Sequence, residues 1–261
     1  MLISIVSGYH ARDVRDLHPF VLDLPHATVQ NNTRGQPLMA LQVTEFPNSG
    51  ICIGAAFGHA VADGRSFHHF MKSWASIFRS AGNSAPAMPV LDRGVVQEKR
   101  PLWAFVSFLK PVVELHGAEP QRASIFVVAC ALVWTSLVKT QKLSLSSSLN
   151  HHQDDEFYYF GFVGDCRNRP ELAIPSAYFG NCLAMCITRL MGSELVGENG
   201  VFAATKATGN RVEQFKNGAL KGAENWITNW IEISETGRLS TVAGSPKLRD
   251  YDIDFGWGKP K

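Results

Sequence analysis

The sequence predicts an α/β fold with mixed sheets, divided into two domains near residues 85–120. Three observations lead there. Strand-like and helix-like runs intermix without the strict alternation that builds a parallel, doubly wound sheet. Residues 81–100 hold Gly82, Pro86, Pro89 and Gly94 with no clear period, which reads as a linker. A chain of 261 residues with 45% hydrophobic and 18% charged side chains has the composition of one large globular domain or two ordinary ones.

Each element has its own signal. Residues 25–37 are polar and turn-rich. Leu38 to Phe46 reads as a strand, Asn48-Ser49-Gly50 as a turn, and Ile51 to Phe57 as a second strand, so the pair reads as a hairpin. After Asp63-Gly64 the period changes. Phe67, Phe70, Met71, Trp74 and Ile77 or Phe78 recur at three- and four-residue spacing, one apolar face of a helix that Asp63 or Ser66 can cap. Ser124 opens another helix through Lys139. It is apolar nearly all round, so burial on every side is expected. Residues 144–156 read as a surface loop. Phe157 to Val163 reads as a strand leading into Gly164-Asp165-Cys166-Arg167, and Leu183 to Leu190 as another. Residues 199–216 and 219–233 read as helices, Leu239 to Ala243 as a short strand, and Tyr251 to Pro260 as a closing loop.

Composition narrows the function. Net charge is +2, from 25 basic and 23 acidic residues, with no run of Lys or Arg, so no nucleic acid and no anionic membrane is expected as partner. The five cysteines are Cys52, Cys130, Cys166, Cys182 and Cys186. They form no CxxC pair, which fits reduced thiols in a cytoplasmic protein. Met1 to Ser7 lacks the basic region and the length of a signal peptide. The longest apolar stretch, Ile125 to Val138, falls short of the roughly 20 residues that span a bilayer. A soluble protein is expected.

The sharpest local feature is Gly58-His59-Ala60-Val61-Ala62-Asp63-Gly64, where a buried strand ends and an amphipathic helix begins. Such a turn presents a side chain at a sheet edge, and imidazole takes up a proton near neutral pH. Asp63 could orient the imidazole or face away into an ion pair. Spacing alone does not decide, and a core histidine beside a helix-capping aspartate is the plainer reading. Three further segments stand out: Asp165-Cys166-Arg167-Asn168-Arg169, Tyr178-Phe179-Gly180-Asn181-Cys182 and Asp254-Phe255-Gly256-Trp257-Gly258. Taken singly, the last two read as packed turns. His59, His68, His69, His151 and His152 make no HExxH or comparable set, so no metal is expected.

Together these features resemble the plant BAHD acyltransferases. His59 to Gly64 matches the family's HxxxDG motif and Asp254 to Gly258 its DFGWG motif. Asp165 to Arg169 looks like its DxRxR segment and Tyr178 to Cys182 like its YFGNC segment, all in family order. The YFGNC form and the run Gly244 to Arg249 are most similar to the branch that acylates anthocyanin and other phenolic glucosides. The resemblance implies two chloramphenicol-acetyltransferase-like domains with mixed sheets. Residues 1–85 would be part of the first, 86–120 a shortened crossover, and 121–261 part of the second, carrying DFGWG.

The resemblance also implies a chemistry. A malonyl or hydroxycinnamoyl group would pass from acyl-CoA, a co-substrate with no bound cofactor, to a hydroxyl of a phenolic or anthocyanin glucoside. His59, midway along a channel between the domains, would be the general base, and no acyl-enzyme would form. Asp63 would pair with Arg167 or Arg169. Asp254, Gly256 and Trp257 would be structural, and Arg65 is a candidate cation for a malonyl donor. A monomer is expected. Family members are considerably longer, so the resemblance implies a fragment with both domains incomplete and with Phe105 to Val113 in place of a crossover strand. A truncated inactive homologue, or the same chemistry on another alcohol or an amine, are the alternatives.

Overall fold

The structure, a computed structural model, describes residues 10–11, 13–24, 28–30, 33–35, 37–82, 88–97, 124–145, 156–170, 172–244 and 248–260. Phe105 to Val113, His151, His152 and most of the expected 144–156 loop lie outside the described residues. The chain divides into two units. The first comprises Met1–Arg93, Pro175–Asn181 and Ser245–Lys261, and the second Gly94–Ile174 and Cys182–Gly244. The break between Arg93 and Gly94 falls inside the stretch expected to be a linker. The grouping also departs from the sequence reading, because the DFGWG segment, expected in the second domain, packs in the first unit.

In the first unit a 3-10 turn, Val14–Phe20, is capped by Asp13. Strands β1 (Thr28–Gln30) and β2 (Thr33–Gly35) form a small antiparallel pair inside the stretch read as turn-rich. Three residues per strand are too few to show a period of two. Strands β3 (Met39–Phe46) and β4 (Gly50–Phe57) form the expected hairpin, in register from Met39 opposite Phe57 to Phe46 opposite Gly50. Its turn places Asn48 at φ 60°, a left-handed conformation that asparagine tolerates. Helix α1 (Gly64–Arg79) follows, and its apolar stripe holds the core of this unit. Met71, Ala75 and Phe255 are buried together, with Ile53, Phe67, Phe70, Trp74 and Ile253 against them.

The second unit opens with a short helix, α2 (Gly94–Gln97), and a long one, α3 (Ile125–Leu145). Then come β5 (Phe157–Asp165), β6 (Leu183–Met191), α4 (Gly192–Val196), α5 (Gly200–Lys216), α6 (Trp226–Glu235) and β7 (Leu239–Val242). The helix expected over 219–233 begins later, at Trp226, after a 3-10 turn at Ala223–Asn225. The sheet order is β6-β5-β7. β5 runs antiparallel to β6 and parallel to β7, so this sheet is mixed as predicted.

Tyr158, Phe160 and Phe162 alternate along β5 and share one face. They pack on Cys130, Ala131, Trp134 and Val138 of α3, with Cys186, Leu195 and Ala204 closing the core. The expectation that α3 is buried on every side is corrected. Ile125 is 89% exposed, and Leu132, Val133 and Leu137 are exposed as well. A helix laid on a sheet buries only the stripe that faces it. α3 also extends beyond the apolar run read from the sequence, and its 20 residues Ile125–Ser144 are long and apolar enough to cross a membrane.

Candidate active site

The HxxxDG segment is built at the junction of β4 and α1. The ring of Phe57, the last residue of β4, stacks on Phe67 in α1 at 4.6 Å and 10°. That contact folds helix back on strand and leaves Gly58 to Ala62 to make the reversal. Gly58 donates its amide to Leu38 O at 3.0 Å, and Val61 donates to Gly58 O at 2.9 Å. His59 lies exposed on this turn, not in the core. Among the described residues, no hydrogen bond restrains its ring.

Asp63 is the cap of α1. It is 1% exposed, its backbone is extended, and its Oδ1 accepts from the Ser66 amide at 2.9 Å. Ser66, the other capping candidate, uses its hydroxyl elsewhere. The Oγ donates to Gly180 O at 2.9 Å and accepts from Gly180 N at 3.0 Å, and it is 2% exposed. Arg65 falls in the first turn of the same helix.

The YFGNC segment therefore lies on the start of α1. A second strand-like stretch holds it from the other side. Val90 bridges Tyr178 in parallel: Val90 N donates to Ala177 O, and Phe179 N donates to Val90 O, each at 2.8 Å. This brings in Arg93. Its Nη2 donates to Val61 O at 2.9 Å and its Nη1 to the Tyr178 hydroxyl at 3.2 Å. Asn181 completes the set, with Nδ2 donating to His59 O at 2.7 Å. A larger residue at Gly180 would have to displace the Arg93 and Tyr178 side chains. A Cβ there would stand 2.1 Å from Arg93 Nη1 and 2.6 Å from the Tyr178 hydroxyl. Sequence reasoning missed Arg93, which lay in an apparent linker. It also took Asn181 as one residue of a packed turn.

The DFGWG segment is a locked turn beside the same helix. Asp254 Oδ1 accepts from Gly256 N at 2.7 Å, and Oδ2 lies 3.8 Å from Arg79 Nη1. Gly256 has φ 97°, the left-handed region that glycine enters without strain. Phe255 meets Trp74 edge-on at 5.0 Å and stacks on Trp257, which is itself 61% exposed.

In the second unit, Arg167 is fully buried and its Nη1 meets Asp165 Oδ1 at 3.0 Å. Arg169 turns to α5 instead. Its guanidinium covers the Phe215 ring at 3.8 Å, and Nη1 donates to Lys216 O. Burial pushes the neighbouring Cys166 thiol up to about 12, and Cys186 is raised by the same cause. Among the described residues, no group of three or more His, Cys, Asp or Glu could hold a metal ion.

Residues 12–114 and 113–261 match the Transferase family. The chain belongs to that family. It is the BAHD acyltransferase family that the four motifs resemble. A coumaroyl-CoA:anthocyanidin 3-O-glucoside-6''-O-coumaroyltransferase of Arabidopsis thaliana is 32% identical, over 95% of this chain and 62% of its own. A malonyl-coenzyme A:anthocyanin 3-O-glucoside-6''-O-malonyltransferase of Dahlia pinnata is 31% identical, over 97% of this chain and 62% of its own. The chain thus spans less than two thirds of the length of these relatives. Vinorine synthase superposes with TM-score 0.62 at 17% identity, over 95% of this chain and 60% of its own. F. sporotrichioides TRI101, solved with coenzyme A and T-2, superposes with TM-score 0.55 at 13% identity, over 87% and 58%. The expected α/β acyltransferase fold is borne out, and only part of it is present here.

Proposed function

We propose that this chain belongs to a CoA-dependent O-acyltransferase that moves a malonyl or hydroxycinnamoyl group to a hydroxyl of a phenolic or anthocyanin glucoside. The observation that carries this is His59: an imidazole that no hydrogen bond among the described residues restrains, exposed on a strand-to-helix turn whose backbone is tied down on both sides. The similar proteins support the substrate class, since two are named for transfer from coumaroyl-CoA or malonyl-CoA to anthocyanidin or anthocyanin glucosides.

In this reading His59 takes the proton from the acceptor hydroxyl. The alkoxide attacks the thioester carbonyl, forming the new C–O bond. The tetrahedral intermediate then expels the CoA thiolate, which the imidazolium protonates. No nucleophilic side chain is consumed. Asp63 caps the helix that follows the turn, and the family resemblance would have its carboxylate pair with Arg167 or, less favourably, Arg169. The alternative partner, Arg169, is engaged by Phe215 and Lys216. The reaction is proposed to run in the cytoplasm, which suits five free cysteines. An amine acceptor is the second reading, on the strength of a 29% identical Arabidopsis thaliana relative named agmatine coumaroyltransferase.

The test is thioester consumption by the 261-residue chain with malonyl-CoA, acetyl-CoA or coumaroyl-CoA and a phenolic glucoside. Loss of a general base predicts a fall of about 10²–10⁴-fold in His59→Ala. Equal turnover in both proteins would remove His59 from the mechanism. No turnover in either would favour an inactive truncated homologue.

A further inference from the structure

We propose that Asn181 is a positioning residue for His59, acting through the backbone of the turn, with Arg93 bracing the same turn. This rests on the reading of His59 as the base. No hydrogen bond among the described residues restrains the imidazole, so its direction follows from its own torsions and from the peptide that carries it. Asn181 Nδ2 holds the carbonyl of that peptide at 2.7 Å. Two residues on, Arg93 Nη2 holds the Val61 carbonyl at 2.9 Å.

Both tethers have firm bases. The backbone of 178–180 is fixed by the Ser66 hydroxyl and by the bridge to Val90, so Asn181 projects from an anchored segment. Arg93 is fixed by the Tyr178 hydroxyl and lies over its ring at 5.8 Å. A carbonyl pinned by an amide donor holds the turn in one geometry. Without that donor the turn samples several, and a base must lie within hydrogen-bond reach of its proton to act.

Asn181→Leu removes the donor without adding charge, at an exposed position with room for the side chain. Asn181→Gln keeps an amide donor. In the leucine variant, kcat should fall by about a hundredfold, the scale of a misplaced catalytic group. KM for acyl-CoA and the melting temperature should stay unchanged. The rising limb of the kcat–pH profile should stay at the same pH while its plateau drops, and the glutamine variant should recover most of the plateau. Wild-type kcat in Asn181→Leu, or equal loss in both variants, would overturn the proposal.

NMR of the His59 ring signals gives a readout free of turnover. Removal of the tether should shift them, and unchanged signals would also overturn it. If wild type and His59→Ala turn over equally while Asn181→Leu still shifts the ring signals, the base assignment falls and the positioning stands. If His59→Ala is dead and Asn181→Leu is normal, the positioning falls alone.

Discussion

Ser66 and Gly180, 114 residues apart in the chain, are joined by a reciprocal pair of hydrogen bonds: the hydroxyl donates to the Gly180 carbonyl and accepts from the Gly180 amide. One side chain thus satisfies two backbone groups of the YFGNC segment and fastens it to the first turn of α1. Ser66→Ala removes both bonds at a buried place, where loss of hydrogen bonding costs about 1–3 kcal/mol. Urea unfolding should show a loss in that range, together with reduced turnover. A change within about 0.5 kcal/mol, ordinary for a surface site, would mean that the pair carries no stability.

Asp63→Asn tests whether the carboxylate does more than cap α1. Asparagine caps a helix about as well as aspartate, so the bond to the Ser66 amide survives. The charge does not. If Asp63 balances the buried guanidinium of Arg167, the variant should lose about 3 kcal/mol in urea unfolding, with α-helical circular dichroism retained at low urea. Wild-type stability would limit Asp63 to its cap.

Asp254→Ala removes the acceptor that closes the turn onto Gly256 N and the partner of Arg79. A stability loss of about 1–2 kcal/mol is expected. Activity should fall in step with the unfolded fraction and return as the temperature is lowered. A fully folded, inactive Asp254→Ala protein would show that the carboxylate serves the chemistry directly.

Burial of Cys166 raises its thiol to about 12, so hardly any thiolate forms near neutral pH. At pH 8 this cysteine and Cys186 should resist a disulfide reagent such as DTNB until denaturant is added, with peptide mapping as the check. The folded value lies above the ordinary 9.0, so the contribution to stability is complete below pH 9 and declines as pH rises toward 12. Rapid labelling of Cys166 in the native protein would contradict its burial.

Local patterns carried a good part of the fold. The β3–β4 hairpin was legible because two strand-like runs, Leu38 to Phe46 and Ile51 to Phe57, flank the short turn Asn48-Ser49-Gly50. Helix α1 was legible because Phe67, Phe70, Met71 and Trp74 keep its period. β5 and β6 declared themselves through β-branched and aromatic residues. β1 and β2 were not legible, being only three residues each. α3 misled for a different reason. Its apolar residues encircle the helix, yet burial depends on what the rest of the structure lays against each side, and here the packed stripe is the one through Cys130, Trp134 and Val138.

Much the same division holds at the site. The motif pattern by itself singles out His59, Asp63 and Asp254, since HxxxDG and DFGWG are contiguous and their spacing is local. That Asp63 rather than Ser66 caps α1, that Ser66 grips Gly180, and that Asn181 and Arg93 hold the turn under His59 were decided only by tertiary structure. Apart from the cap, these are hydrogen bonds between residues 32 to 122 positions apart. Periodicity reports on neighbours along the chain, whereas such bonds depend on where the folded backbone brings distant donors and acceptors together.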